Sequence, residues 1–171
     1  GPGPVVDATA QQALLDRLLQ IAPGYDAVVV AGSLPRGVTA QWLRELIESL
    51  NALGLKVALD SSGEALRAAL LASPWLIKPN TEELADALGC EVVSPIAEAQ
   101  AAARLHSQGI EHVVISHGAD GVNWFSVGSA LHASPPKVSV ASTVGAGDSL
   151  LAGMLHGLLS ADTPEQTLRT A

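Results

Sequence analysis

Short continuous apolar runs alternate along this chain with longer stretches in which apolar residues recur every three or four positions. Ala27 to Ala31, Leu55 to Leu59, Trp75 to Ile77 and Val113 to Ile115 are runs of the first kind, each ending in polar residues. Runs without polar alternation read as strands buried on both faces of a parallel sheet. Stretches of the second kind read as helices with recognisable ends. Ala10 to Ile21 carries Leu14, Leu15, Leu18, Leu19 and Ile21, and Thr39 can cap a helix from Ala40 to Leu53 that Gly54 closes. Ser62 to Leu71 is a third, Thr81 caps Glu82 to Leu88, and Ser94-Pro95 starts another that stops at Gly109.

The β-α order with short connections predicts right-handed crossovers and helices on both faces of one sheet. After His117 the pattern changes. Val122 to Phe125, Ala130 to Ala133 and Lys137 to Ala141 are short, turn-separated and partly alternating, which predicts an antiparallel edge. A last helical segment starts at Pro164.

Composition narrows the picture. The 171 residues are 48% hydrophobic and 15% charged, the range of one compact α/β domain rather than a disordered chain. Nine scattered Lys and Arg against a net charge of −8 offer no basic stripe for nucleic acid. Anionic ligands must then be held by local amides, a metal ion or a few placed cations. Cys90 is the single cysteine, which excludes an intrachain disulfide and a multi-cysteine metal site, and fits a reducing cytoplasm. No apolar run approaches the roughly 18 to 20 residues of a membrane span.

Ligand sites of open α/β sheets lie beyond the carboxyl ends of the strands, so the segment after each strand is a candidate. Gly32-Ser33-Leu34-Pro35-Arg36-Gly37 can wrap a substrate with Ser33 as hydrogen-bond donor, or is a loop shaped by Gly and Pro. Asp60-Ser61-Ser62 follows the second strand. Asn80 and Glu83, three apart at a helix start, suit a carboxylate that organises metal-bound water beside phosphates; the alternative is that this start only satisfies the helix dipole. Lys78 either meets a phosphate or is a solvated lysine.

Ser116-His117-Gly118-Ala119-Asp120-Gly121 has amides that can face nucleotide phosphates, or is a tight turn into Val122. His117 reads as a structural or rim residue, because the sequence supplies it with no orienting partner. Trp42, Trp75 and Trp124 read as core, and Cys90 as packing. The most informative segment is Thr143-Val144-Gly145-Ala146-Gly147-Asp148, which opens the apolar helix from Ser149. Its nearly side-chain-free amides suit a phosphate, and Asp148 beside them suits a proton acceptor in phosphoryl transfer to an alcohol, or else a helix cap.

Taken in order, these segments resemble the ribokinase-like (PfkB-type) sugar kinases, in their phosphofructokinase subgroup. The resemblance covers essentially residues 1–171, as a partial kinase domain with the nucleotide-binding and catalytic portion. It implies ATP-dependent phosphorylation of fructose 1-phosphate, with tagatose 6-phosphate as the alternative acceptor and a silent nucleotide- or phosphometabolite-binding module as the rival. It implies Asp148 as catalytic base, with Gly145, Ala146 and Gly147 as the anion hole. Ser116, His117, Gly118, Ala119, Asp120 and Gly121, with Lys78, Asn80, Gly147 and Asp148, would hold the nucleotide; Ser33 and Asp148 would face the sugar phosphate.

Glu83 would support Mg²⁺ through water. Ser142-Thr143-Val144 stands where Asp-Thr is commoner in the superfamily, and His117 where an apolar residue is commoner. Gly1-Pro2-Gly3-Pro4 resembles the join after the family's lid region. The expectation is therefore a fragment without the N-terminal lid and C-terminal end, whose exposed edges favour self-association into homo-oligomers.

Overall fold

The computed structural model describes residues 27–133, together with isolated helical positions at Thr9, Ala13 and Asp16. The expected segments at Ala10 to Ile21, Lys137 to Ala141, Thr143 to Asp148 and Pro164 onwards therefore lie outside the described residues, wholly or nearly so. Within the described region the chain runs β1 (Ala27–Ala31), α1 (Ala40–Ala52), β2 (Lys56–Asp60), α2 (Gly63–Leu70), β3 (Leu76–Ile77) and α3 (Thr81–Leu88). It continues with α4 (Pro95–Ser107), β4 (His112–Ser116), a 3-10 turn at Gly118–Asp120, β5 (Val122–Ser126) and β6 (Ser129–Ala133).

The six strands form one sheet in sequence order. β1 to β4 are parallel, while β5 and β6 pair antiparallel at the edge that the alternating pattern predicts. A strand order that never reverses, joined by right-handed crossovers, puts the connecting helices on the same face. That is where α1 to α4 lie: Leu43, Ile47, Leu50, Leu66, Leu84 and Leu105 pack with Val57, Leu59, Ile77, Val113 and Ile115 in one cluster. The opposite strand positions Ala58, Leu76 and Val114 join Val122 and Trp124 in a second cluster. No helix among the described residues covers that second face.

The helix ends follow the sequence with one correction. Thr39 accepts a hydrogen bond from the Trp42 N–H at the start of α1, and Ser94 from the Ala97 N–H at the start of α4, with Pro95 in the first turn. The cap of α3 is Asn80, not Thr81. Asn80 holds the extended backbone that a cap requires, and its Oδ1 accepts from the Glu83 N–H at 2.7 Å while Glu83 Oε1 accepts from the Asn80 N–H at 3.0 Å. This reciprocal pair satisfies two otherwise unpaired donors of the helix start. Thr81 is the first helical residue.

At the amino end of the strands a second polar group is sealed. His112 Nδ1 accepts from the Trp124 indole N–H at 3.0 Å, and its ring stands edge-on to Trp75 with centroids 4.9 Å apart. Trp75 in turn donates to Glu111 at 3.0 Å and lies beneath the Lys56 ammonium. Trp124 is fully buried, whereas Trp75 and Trp42 are half-buried against the two clusters. Cys90 is exposed, so it is not the packing residue expected.

Candidate active site

Parallel strands in register bring their following loops to one edge, and here the loops are tied to each other. The Gly32 N–H donates to the Asp60 carbonyl at 3.0 Å and Ser61 Oγ to the Gly32 carbonyl at 2.9 Å, joining the first loop to the second. The Ser116 N–H donates to the Pro79 carbonyl at 2.9 Å, and Asn80 pairs with Ser116 as an isolated parallel bridge. The Lys78 to Glu83 and Ser116 to Gly121 segments are thus neighbours. Four strand-end loops, far apart in sequence, line one edge of the sheet.

Lys78 is neither solvated nor free. It is 7% exposed, and its Nζ lies 3.8 Å from Asp60 Oδ2 across the β2–β3 step. A buried ammonium is unfavourable without a carboxylate near it, and Asp60 supplies one. Glu83 uses Oε1 for the helix cap, which leaves Oε2 without a partner among the described residues. The donor set therefore fits an indirect role, one oxygen fixed by the fold and one available to a metal-bound water. Among the described residues no three His, Cys, Asp or Glu side chains come together as a direct metal site. Ser33 is exposed in the first loop, beside the α1 entry.

The Ser116 to Gly121 segment is a closed turn. The His117 N–H donates to the Gly121 carbonyl at 2.8 Å and the Asp120 N–H to the His117 carbonyl at 3.1 Å. Gly121 sits at φ 96 and ψ −147, a backbone region that side-chain-bearing residues avoid, so glycine is required for the turn to enter β5. Gly118, Ala119 and Asp120 are exposed.

The expectation that His117 lacks an orienting partner is overturned. Its Nε2 lies 2.7 Å from Oε1 of Glu98, a residue only 4% exposed on α4. Asn123 Nδ2 reaches the same oxygen at 3.1 Å, and Asn123 Oδ1 meets His132 Nδ1 at 2.6 Å. Glu98 escaped the sequence reading because these contacts span 19 and 25 residues. One signal was available: Glu98 shares the i, i+3, i+4, i+7 stripe with Ala101, Ala102 and Leu105, the buried face of α4. Gly145, Ala146, Gly147 and Asp148, the residues expected to carry catalysis, lie outside the described residues.

A mainly parallel sheet with an antiparallel edge, carrying a buried lysine, an Asn-x-x-Glu helix start and a glycine-bounded turn on one rim, defines a ribokinase-like α/β kinase fold. The chain belongs to the pfkB family of carbohydrate kinases, whose sequence profile matches residues 3–171. It is 47% identical over 165 residues to the 1-phosphofructokinase of Vibrio cholerae, covering 96% of this chain and 51% of that protein. The 1-phosphofructokinase of Escherichia coli K12 is 44% identical over 147 residues, 86% of this chain and 47% of that one.

Among solved structures, phosphofructokinase-2 from Escherichia coli in complex with substrates and products matches with a TM-score of 0.90 at 34% identity, over 99% of this chain and 55% of that one. Arabidopsis thaliana ribokinase complexed with ribose and ATP matches at a TM-score of 0.75 and 24% identity, a likeness of fold. The chain spans about half the length of the curated relatives it matches. No helix among the described residues is long and apolar enough to cross a membrane.

Proposed function

We propose that this chain is the nucleotide-side and catalytic portion of a kinase that transfers the γ-phosphoryl group of ATP to fructose 1-phosphate, giving fructose 1,6-bisphosphate. The observation that carries the reading is the junction of the Lys78 to Glu83 and Ser116 to Gly121 segments through the Asn80–Ser116 bridge and the Ser116–Pro79 hydrogen bond. It puts the helix start and the glycine turn side by side at the strand ends, where a triphosphate can meet both. The choice of fructose 1-phosphate rests on the relatives named 1-phosphofructokinase at 44 and 47% identity. Tagatose 6-phosphate is the competing acceptor.

In this reading the Ser116 to Gly121 turn binds the nucleotide phosphates, and Lys78 and Asn80 bound the same rim. Asp148 takes the proton of the acceptor hydroxyl as the oxygen attacks the γ-phosphorus. The amides of Gly145, Ala146 and Gly147 receive the charge that develops on the transferred group, and Ser33 contacts the sugar phosphate. Mg²⁺ would neutralise phosphate charge, and Glu83 would hold it indirectly, through water. The protein works in the cytoplasm, where both substrates are soluble.

Changing Asp148→Asn in the intact protein tests the assignment of the base. Turnover in a coupled assay should fall by about 10³-fold or more, since a positioned base and its orientation are lost together, while calorimetry shows nearly the same affinity for Mg-ATP. Turnover equal to the unsubstituted protein removes Asp148 from the role.

A further inference from the structure

Glu98 is a buried carboxylate with no role in the assignments above. Its neighbours on the inner stripe of α4 are Ala101, Ala102 and Leu105, all buried. A carboxylate among alanines and leucines is strongly unfavourable unless its oxygens are hydrogen-bonded. The groups that satisfy it are His117 Nε2 at 2.7 Å and Asn123 Nδ2 at 3.1 Å. One begins the Ser116 to Gly121 turn, and the other lies in β5 immediately after it.

The geometry also settles how these groups are used. At 2.7 Å from a carboxylate oxygen, His117 Nε2 must carry the hydrogen and donate, since two lone pairs at that distance would repel. Asn123 Nδ2 is 3.2 Å from the same His117 nitrogen, which is the close approach of two donors converging on one acceptor rather than a bond between them. The Asn123 amide is held the right way round because its Oδ1 faces His132 Nδ1 at 2.6 Å. Three elements, α4, the turn and β5, are locked around one oxygen. Within the turn the side-chain hydrogen bonds among the described residues are this one and the longer contact of Ser116 Oγ to the Pro79 carbonyl at 3.5 Å, so the His117 bond is the short anchor.

We propose that Glu98 is a positioning residue for the nucleotide: through His117 and Asn123 it holds the Ser116 to Gly121 turn in the shape that binds phosphate. The inference rests on the reading of that turn as the nucleotide segment. It assigns Glu98 no contact with substrate, and its influence passes through the imidazole. Its signature is selective, acting on the nucleotide and leaving the sugar phosphate alone.

The test is titration calorimetry on the intact protein, with Mg-ATP and fructose 1-phosphate as separate probes, for Glu98→Gln, His117→Gln and the double variant. Glu98→Gln keeps the size of the side chain and removes its charge. Each single variant should weaken Mg-ATP by about tenfold, the scale for losing the charge assistance and geometry of one such hydrogen bond, and the sugar phosphate by less than about twofold. The double variant should be no weaker than the worse single, because both substitutions weaken the same charge-assisted contact. Equal weakening of both ligands, or no change in either, overturns the proposal and leaves Glu98 as a packing element.

Calorimetry does not depend on turnover, so the two readings fail separately. An unsubstituted protein that binds Mg-ATP without transferring phosphate contradicts the kinase assignment alone, and the variants still decide the role of Glu98. One that binds no nucleotide overturns both.

Discussion

At the amino end of the strands, His112, Trp124, Trp75 and Glu111 are closed on one another; at the carboxyl end, Asn80, Ser116 and His117 tie loops together and remain partly accessible around the buried Lys78. Trp124 and His112 meet inside the protein, 1% and 7% exposed, and the bond between them uses the indole N–H and the imidazole acceptor against each other. Glu83 Oε2, by contrast, has no hydrogen-bond partner among the described residues. The same sheet thus presents a polar group fully consumed by folding at one end and polar groups only partly consumed at the other. Substitutions at the amino end should cost stability, and those at the carboxyl end should cost activity beyond any loss of stability.

The largest stability effect should come from Trp124→Ala in the second cluster. Loss of a fully buried indole and its hydrogen bond should destabilise by about 3 to 5 kcal/mol in denaturant unfolding, with nucleotide affinity of the folded fraction unchanged. A loss under about 1 kcal/mol would mean that the amino end is not sealed as described.

Acid should act on the same end. Burial lowers the pKa of His112 below its ordinary value of 6.5, opposed by Glu111 and assisted by His106 and Lys56. The unfolded chain therefore takes up a proton at His112 before the folded chain does, and stability falls as pH drops below about 6.5. Above that pH both forms are neutral and the contribution is flat. His112→Gln, which keeps an acceptor for Trp124, should flatten part of this acid limb when midpoints are compared between pH 7 and pH 5. An unchanged limb would place the acid sensitivity elsewhere.

A smaller stability effect, with a larger functional one, is expected at the other end. Asn80→Ala removes the cap and one half of the reciprocal pair with Glu83, costing about 1 kcal/mol. Phosphotransfer should fall by more than that loss explains if the Asn80 side chain borders the nucleotide as proposed; the backbone N–H of residue 80 still holds Glu83 Oε1. The smallest effect belongs to the surface. The exposed Arg67–Asp86 pair between α2 and α3, at 2.6 Å, should contribute about 0.5 kcal/mol or less, and Asp86→Asn should leave both stability and activity nearly as they were.

Much of this was legible in the sequence, and the parts that were not have a common cause. β1 occupies Ala27–Ala31 as the apolar run indicates, and the other strands shift by a residue where pairing, rather than hydropathy, sets the end. The cap moved from Thr81 to Asn80 because capping depends on the extended backbone before the helix, which composition does not show. The Asn-x-x-Glu spacing was read as one of two alternatives, metal support or helix start. The structure realises the second, as the reciprocal Asn80–Glu83 cap.

The sequence left Lys78 between phosphate ligand and solvated side chain, and it is a buried partner of Asp60, a residue 18 positions away on the neighbouring strand. The partner of His117 was invisible for the same reason. Local periodicity marks which face of α4 is buried, and only the packed fold brings Glu98 to the turn.

In the proposed reading the rim built by the Lys78 to Glu83 and Ser116 to Gly121 segments serves phosphoryl transfer to a phosphosugar. Phosphorus NMR of the intact protein with Mg-ATP and fructose 1-phosphate tests it most directly. New fructose 1,6-bisphosphate resonances should grow at the rate at which ADP appears, and should be lost in Asp148→Asn. ADP formation without phosphate on the sugar, or no reaction with either fructose 1-phosphate or tagatose 6-phosphate, would contradict it.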